Sequence, residues 1–193
     1  MRRSLDVVSK AVVLAGGASK RMGQDKAMLG LGRLSLLEHQ CERLDAIFDE
    51  VYVSSKNNRF NIARPIIHDV SENFAPCFGL LSAIDELKEP FFVLPVDMPF
   101  VDEDAIRTIL DAYSKGLDAC VGVFDERVEP LIGVYAPSIK PKIEDAIASE
   151  NYKLLDIVEA SKVLFVDFFN QDAFMNINTP QDYEKAIRFL KEQ

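Results

Sequence analysis

Arg21 and Lys26 stand in a glycine-bearing stretch, Leu14-Ala15-Gly16-Gly17-Ala18-Ser19-Lys20-Arg21-Met22-Gly23-Gln24-Asp25-Lys26, that leaves a short apolar run. Such a stretch has the chemistry of a triphosphate cradle. Gly16 and Gly17 lack a Cβ, so their backbone N–H groups can be brought against an anion in conformations closed to other residues. Arg21 offers a flat two-pronged donor and Lys26 a compact mobile one, which together can follow phosphate oxygens through a change of geometry. The spacing matches neither the P-loop nor the Rossmann dinucleotide fingerprint. Further on, Asp97 follows the apolar run Phe91-Phe92-Val93-Leu94-Pro95 and opens Asp97-Met98-Pro99. Open α/β sheets bind ligands beyond the carboxyl ends of their strands, so this acid and the glycine loop are expected to face one crevice. Magnesium there needs only one or two carboxylates plus the substrate's phosphates. The bland alternative is a turn-capping aspartate before Pro99. Asp69, ending Ile66-Ile67-His68-Asp69, is a weaker candidate, equally readable as a solvated turn residue.

The rest of the chain bounds what this loop can serve. Its 193 residues, 48% of them apolar, suit one domain, 1–193, with a substantial core. Lys and Arg number 22 against 31 Asp and Glu, a net charge of −9. An acidic chain is a poor match for nucleic acid or an anionic membrane, so neither is expected as a partner. No signal-peptide stretch follows the two N-terminal arginines, and nowhere do about 18 apolar residues run together, so a soluble cytoplasmic protein is expected. Cys41, Cys77 and Cys120 are too far apart for a C-x-x-C site and are expected as core thiols. His39 and His68 are too separated for a zinc cluster; His39 falls in an expected helix, where a packing or capping role is anticipated.

Positioning these residues requires alternating strands and helices, hence a mostly parallel sheet covered by helices. Strands are predicted at 11–15, 51–54, 65–67, 91–95, 119–124, 131–135 and 163–168, the sheet ending mixed. Helices are predicted from near Ser35, over about 80–87, from Asp102 through about Tyr113, and near 138–148 and 153–160. Ser35 and Glu38 form an S-x-x-E capping box. A last helix opens at Thr179-Pro180-Gln181-Asp182, with threonine as N-cap, proline first and an acid in the first turn.

Taken together these residues resemble the molybdenum cofactor guanylyltransferase family (molybdopterin-guanine dinucleotide biosynthesis protein A) of the nucleotidyltransferase superfamily, over nearly the whole chain. The family pattern L-A-G-G-x-S-x-R-M-G-x-D-K is matched by Leu14 to Lys26, and D-x-P after a strand by Asp97-Met98-Pro99. Pro130-Leu131 before Tyr135 fits as well. The ending Asn176-Ile177-Asn178-Thr179-Pro180 resembles the N-x-N-T-P that closes these proteins. The resemblance implies a Rossmann-like three-layer α/β/α domain of nucleotide-diphospho-sugar transferase type with a mostly parallel mixed sheet. It implies GTP and molybdopterin as substrates, magnesium as cofactor, and transient contact with molybdoenzymes or cofactor-delivery proteins. By motif match Leu14, Ala15 and Gly16 would meet the base and ribose, with Gly17, Ser54, Asp69 and Gly79 completing the nucleotide set. Arg21 and Lys26 would meet the phosphates, Asp97 the nucleotide and metal, and Asn176 and Asn178 the acceptor. Catalysis would rest on Arg21, Lys26 and Asp97.

Two departures bear on guanine selectivity more than on catalysis. Ser54 stands where some relatives carry a longer asparagine, and Ala75-Pro76-Cys77-Phe78-Gly79 replaces the usual G-P-L-x-G. The same scaffold would also serve a cytidylyl- or sugar-phosphate nucleotidyltransferase, or a nucleotide-binding module without turnover. Choice of nucleotide discriminates the first pair; turnover discriminates the last.

Overall fold

Ala11, Val12 and Val13 are all fully buried, yet they serve two different cores, Ala11 and Val13 on one face of a sheet and Val12 on the other. Phe91 and Val93 alternate with Phe92 and Leu94 in the same way. A strand with no solvated face reads as an unbroken apolar run, because both sets of side chains must leave water. The computed structural model describes residues 7–16, 25–56, 60, 62–69, 71, 73, 75–169 and 175–192.

In chain order the elements are β1 (Lys10–Leu14), the hairpin β2 (Gly30–Leu31) and β3 (Leu34–Ser35), α1 (Leu36–Asp45), β4 (Glu50–Ser55) and β5 (Ile66–His68). There follow α2 (Pro76–Leu87), β6 (Phe91–Pro95), α3 (Glu103–Ala112), β7 (Ala119–Phe124) and β8 (Arg127–Tyr135). The chain ends with α4 (Lys140–Ala148), α5 (Leu154–Glu159), β9 (Val163–Phe168) and α6 (Pro180–Glu192). Seven strands form one sheet in the order β5-β4-β1-β6-β8-β7-β9. Strands β5, β4, β1 and β6 are parallel, β8 runs antiparallel to both its neighbours, and β9 is parallel to β7. One apolar core joins the sheet to α1, α3 and α6, the other joins it to α2, α4 and α5. The architecture is three-layer α/β/α, as the family resemblance implied, with the mostly parallel mixed sheet that the sequence pattern implied. The three cysteines are buried thiols. Among the described residues no helix is long and apolar enough to cross a membrane.

Helix starts follow local chemistry. Ser35 and Glu38 make the reciprocal capping box, the Glu38 amide donating to Ser35 Oγ (3.2 Å) and the Ser35 amide to Glu38 Oε2 (2.8 Å). Asp102 caps α3 by accepting from the Ala105 amide at 2.7 Å. At α6, Thr179 Oγ1 accepts from the Asp182 amide while Asp182 Oδ2 accepts from the amides of Asn178 and Thr179. Burial opposes the Asp182 charge, but those donors and the Thr179 hydroxyl more than offset it and hold the carboxyl below its ordinary range.

Two element starts lie four residues ahead of the sequence prediction, and one hairpin falls outside it. Helix α2 begins at Pro76 rather than near Leu80, because proline's fixed φ suits the first helical position and its missing N–H has no helical partner there. Strand β8 begins at Arg127 rather than Leu131, entered through a two-residue turn in which Asp125 and Glu126 both take positive φ, 46° and 65°. That geometry joins strands tightly but favours glycine at its second position. The hairpin β2–β3 was not predicted at all. Exchange of Glu126 for glycine is expected to relieve the left-handed strain and raise Tm by about 2 °C in thermal denaturation; a fall in Tm would show that the turn tolerates glutamate without cost.

Candidate functional site

Strand order reverses at β1: the chain moves outward to β4 and β5, then returns to β6 on the other side. That switch point opens a crevice beyond the carboxyl ends of β1, β4, β5 and β6. Leu14, Ala15, Gly16, Lys26, Ser54, Asp69, Gly79 and Asp97 all line it. Residues from 14 to 97 are thus gathered by topology alone. Gly17 and Arg21 lie outside the described residues.

Strand β1 hands the chain to the site in register. The Ala15 amide donates to Ser54 O (2.9 Å) and the Val96 amide to Leu14 O (3.1 Å), so the parallel ladders continue one residue past the strands and fix the crevice floor. Lys26 enters on a single 3-10 turn, Lys26–Met28, capped by Asp25, whose Oδ1 accepts from the Ala27 amide at 3.2 Å. The turn aims the Lys26 side chain at the exit of β6. Its ammonium donates to Asp97 Oδ2 at 3.1 Å and to Asn178 Oδ1 at 2.5 Å. Both partners of the ion pair are largely sheltered, with 14% and 22% of their side chains exposed, where Coulomb attraction is less screened than at an open surface.

Asn178 arrives from the far end of the chain because Ile177, fully buried, donates its amide to Asp97 O at 2.8 Å. The segment 176–178 is therefore stitched to the backbone of Asp97 itself. Asn176 sits at the exposed end of the same segment. Asp69 lines the crevice, and its Oδ1 caps a turn by accepting from the Ser71 amide at 3.0 Å.

On the opposite wall, Ala75-Pro76-Cys77-Phe78-Gly79 is the N-cap and first turn of α2 rather than a separate loop. A Cβ on Gly79 would come within 3.0 Å of Ser54 Oγ and 3.6 Å of Leu14 Cδ2, so glycine lets α2 approach the ends of β1 and β4 closely. Ser54, one of the two departures, thus packs against Gly79, the position of the second motif that keeps the family's glycine.

Several residues at the site carried no chemical assignment in the sequence reading. Lys56 lines the crevice and donates to the carbonyls of Ser71 (2.7 Å) and Asn73 (2.5 Å), tying down the chain beyond Asp69. Leu131 lines it too, from a bulge in β8: Val121 pairs with Gly133 but Gly122 with Glu129, leaving 130–132 without counterparts in β7. The buried Tyr135 hydroxyl donates to Pro130 O and pins that bulge. Half-buried Glu129 has its carboxyl pushed up by burial, countered by Arg127, and pushed further by the charge of Asp97, which puts the two acids within electrostatic reach. A lone lysine, glutamate or leucine in a strand gives no signal from which sequence alone could have found these roles.

Among the described residues no group of three or more His, Cys, Asp or Glu stands together as a preformed metal cage. Magnesium does not require one. The Asp97 carboxylate and the Asn178 amide oxygen, both on the Lys26 ammonium, form an all-oxygen donor set of the kind that hard cations share with phosphates.

Comparison with known proteins agrees with this picture. Residues 11–163 match the sequence family described as the MobA-like NTP transferase domain. The chain is 33% identical over 183 residues to the molybdenum cofactor guanylyltransferase of Campylobacter jejuni subsp. doylei, covering 93% of this chain and 96% of that one. A crystal structure of molybdopterin-guanine dinucleotide biosynthesis protein A from Archaeoglobus fulgidus superposes with a TM-score of 0.82 at 24% identity, covering 95% of this chain and all of the other. The 2-C-methyl-D-erythritol 4-phosphate cytidylyltransferase of Thermus thermophilus superposes at 0.71 with 18% identity, over 93% and 98% of the two chains.

Proposed function

The chain belongs to the MobA-like NTP transferase domain family, whose members are nucleotidyltransferases, and from that premise we propose that it transfers GMP from GTP to the terminal phosphate of molybdopterin. Guanine rather than cytosine is favoured because the relative at 33% identity is a guanylyltransferase, whereas likeness to the cytidylyltransferase is one of fold alone. One observation carries the reading: Lys26 Nζ touches both Asp97 and Asn178, which supports a site where a phosphate-binding cation, a metal-binding carboxylate and an acceptor-binding amide act together.

The chemistry asks little of an acid or base. A phosphate monoester has a second pKa near 6, so at neutral pH the acceptor is largely a dianion and already nucleophilic. Its oxygen attacks the α-phosphorus in line, the bond from that phosphorus to the bridging oxygen breaks, and pyrophosphate leaves with the electron pair. Catalysis then consists of positioning and of neutralising charge with donors fixed beforehand. Leu14, Ala15 and Gly16 at the end of β1 hold the base and ribose side, with Ser54, Asp69 and Gly79 on the facing walls. Lys26 and Arg21 hold phosphate oxygens, and Asn176 and Asn178 present the acceptor. Asp97 would hold magnesium, which when bound supplies further positive charge against the phosphates.

The test is pyrophosphate release from GTP, CTP, ATP and UTP with magnesium, each with and without molybdopterin. Release dependent on GTP and molybdopterin together is expected. Release driven by CTP or UTP would replace the reading with the cytidylyl- or sugar-phosphate alternative, and no release from any nucleotide would favour a binding module.

A further inference from the structure

Gln40 is fully buried on α1 and is not among the residues that line the crevice, yet its side-chain amide donates twice to the loop that carries Asp97. It donates to Pro95 O and to Met98 O, each at 3.0 Å, bracketing the aspartate from either side. One turn along the same helix face, Arg43 donates to Pro99 O and Val101 O and steadies Gln40 by donating to its Oε1 at 3.2 Å. His39 Nε2 reaches Pro99 O at 3.3 Å. With Ile177 on Asp97 O, the carbonyls of residues 95, 97, 98, 99 and 101 all have donors from outside the loop.

The loop needs this because it leaves the sheet at Pro95 while staying in the interior. Val96 and Met98 are buried at 7% and 3% exposure, so carbonyls of this loop without strand partners would be left unsatisfied away from water. An amide is the side chain that fits: its two coplanar N–H groups can serve two carbonyls at once, and its oxygen still accepts from Arg43.

We propose that Gln40 is a positioning residue for catalysis, its paired donation to Pro95 and Met98 setting where the Asp97 carboxylate stands relative to Lys26. The proposal rests on the reading of Asp97 as the metal carboxylate. Misplacing a catalytic group by about 1 Å can cost on the order of a hundredfold in rate, which a freed loop would allow.

The full-length Gln40→Leu variant tests it by two independent readouts. Hydrogen exchange at the Val96 amide, which donates to Leu14 O, is expected to accelerate at least about tenfold while β7 and β9 amides stay within about twofold, since only local opening is released. In pyrophosphate release, kcat is expected to fall roughly ten- to a hundredfold with the KM for GTP within about threefold. Wild-type exchange at Val96, or an unchanged kcat, would overturn the proposal. Should Gln40→Leu fail to fold, Gln40→Glu decides: its carboxylate cannot donate, but once protonated it regains one O–H donor, so activity relative to wild type should recover as pH falls. A pH profile parallel to wild type would overturn the proposal. If the wild-type chain itself releases no pyrophosphate, the functional reading fails by that result, and the exchange experiment alone judges whether Gln40 clamps the loop.

Discussion

The Asp97→Asn variant is expected to lose guanylyl transfer by on the order of a thousandfold or more, with a much smaller rise in the KM for GTP. The substitution keeps size and leaves one carbonyl oxygen, so the loop held by Gln40 and Ile177 should keep its course. What changes is charge. A neutral amide is a poor ligand for magnesium, and the Lys26 ammonium loses the anion 3.1 Å away that balances it. Nucleotide binding is expected to suffer less, because Leu14, Ala15, Gly16 and Ser54 line the crevice independently of the Asp97 charge. Steady-state kinetics with excess magnesium checks this; turnover within a few-fold of wild type would remove Asp97 from the metal role.

For Lys26→Ala the expected loss is split differently: kcat falls by about a hundredfold or more, and the KM for GTP rises as well. A charge that contacts phosphate in both ground state and transition state contributes to both parameters. In the resting protein Lys26 also joins Asp97 to Asn178, so its removal leaves a half-buried carboxylate without that cation and loosens the acceptor-side segment. Full kinetics with varied GTP and varied molybdopterin separate these parts, the second substrate's KM rising only if Asn178 has lost its place. A variant with normal constants for both substrates would contradict the phosphate role.

Much of this arrangement was legible in the sequence, for reasons that are local. Phe91 to Pro95 could only be a strand buried on both faces, Ser35 and Glu38 could only be useful to each other at a helix start, and Asp97 after such a strand falls where α/β crevices open. Lys26 was legible because a cation beside a glycine loop has little structural use. What escaped depends on non-local pairing or on unfavoured turn residues. The hairpin of residues 30–35 has strands of two residues each, too short to show a period, and is set by Gly32 at a φ of 67°. The β7–β8 turn is built from Asp125 and Glu126 in place of the usual Asn-Gly, so the start of β8 gave no warning. Gln40 and Lys56 meet the carbonyls they serve at residues distant in the chain, and Glu129 feels Asp97 in the same way.

The claim on which the rest depends is that Lys26 and Asp97 bound a single site for triphosphate and divalent cation. It is tested most directly by a crystal structure of the protein with a GTP analogue resistant to α-phosphate transfer and manganese in place of magnesium. The account predicts a manganese anomalous peak in contact with the Asp97 carboxylate, with the triphosphate running from the end of β1 across Lys26. Manganese bound away from Asp97, or a triphosphate that does not touch Lys26, would contradict it.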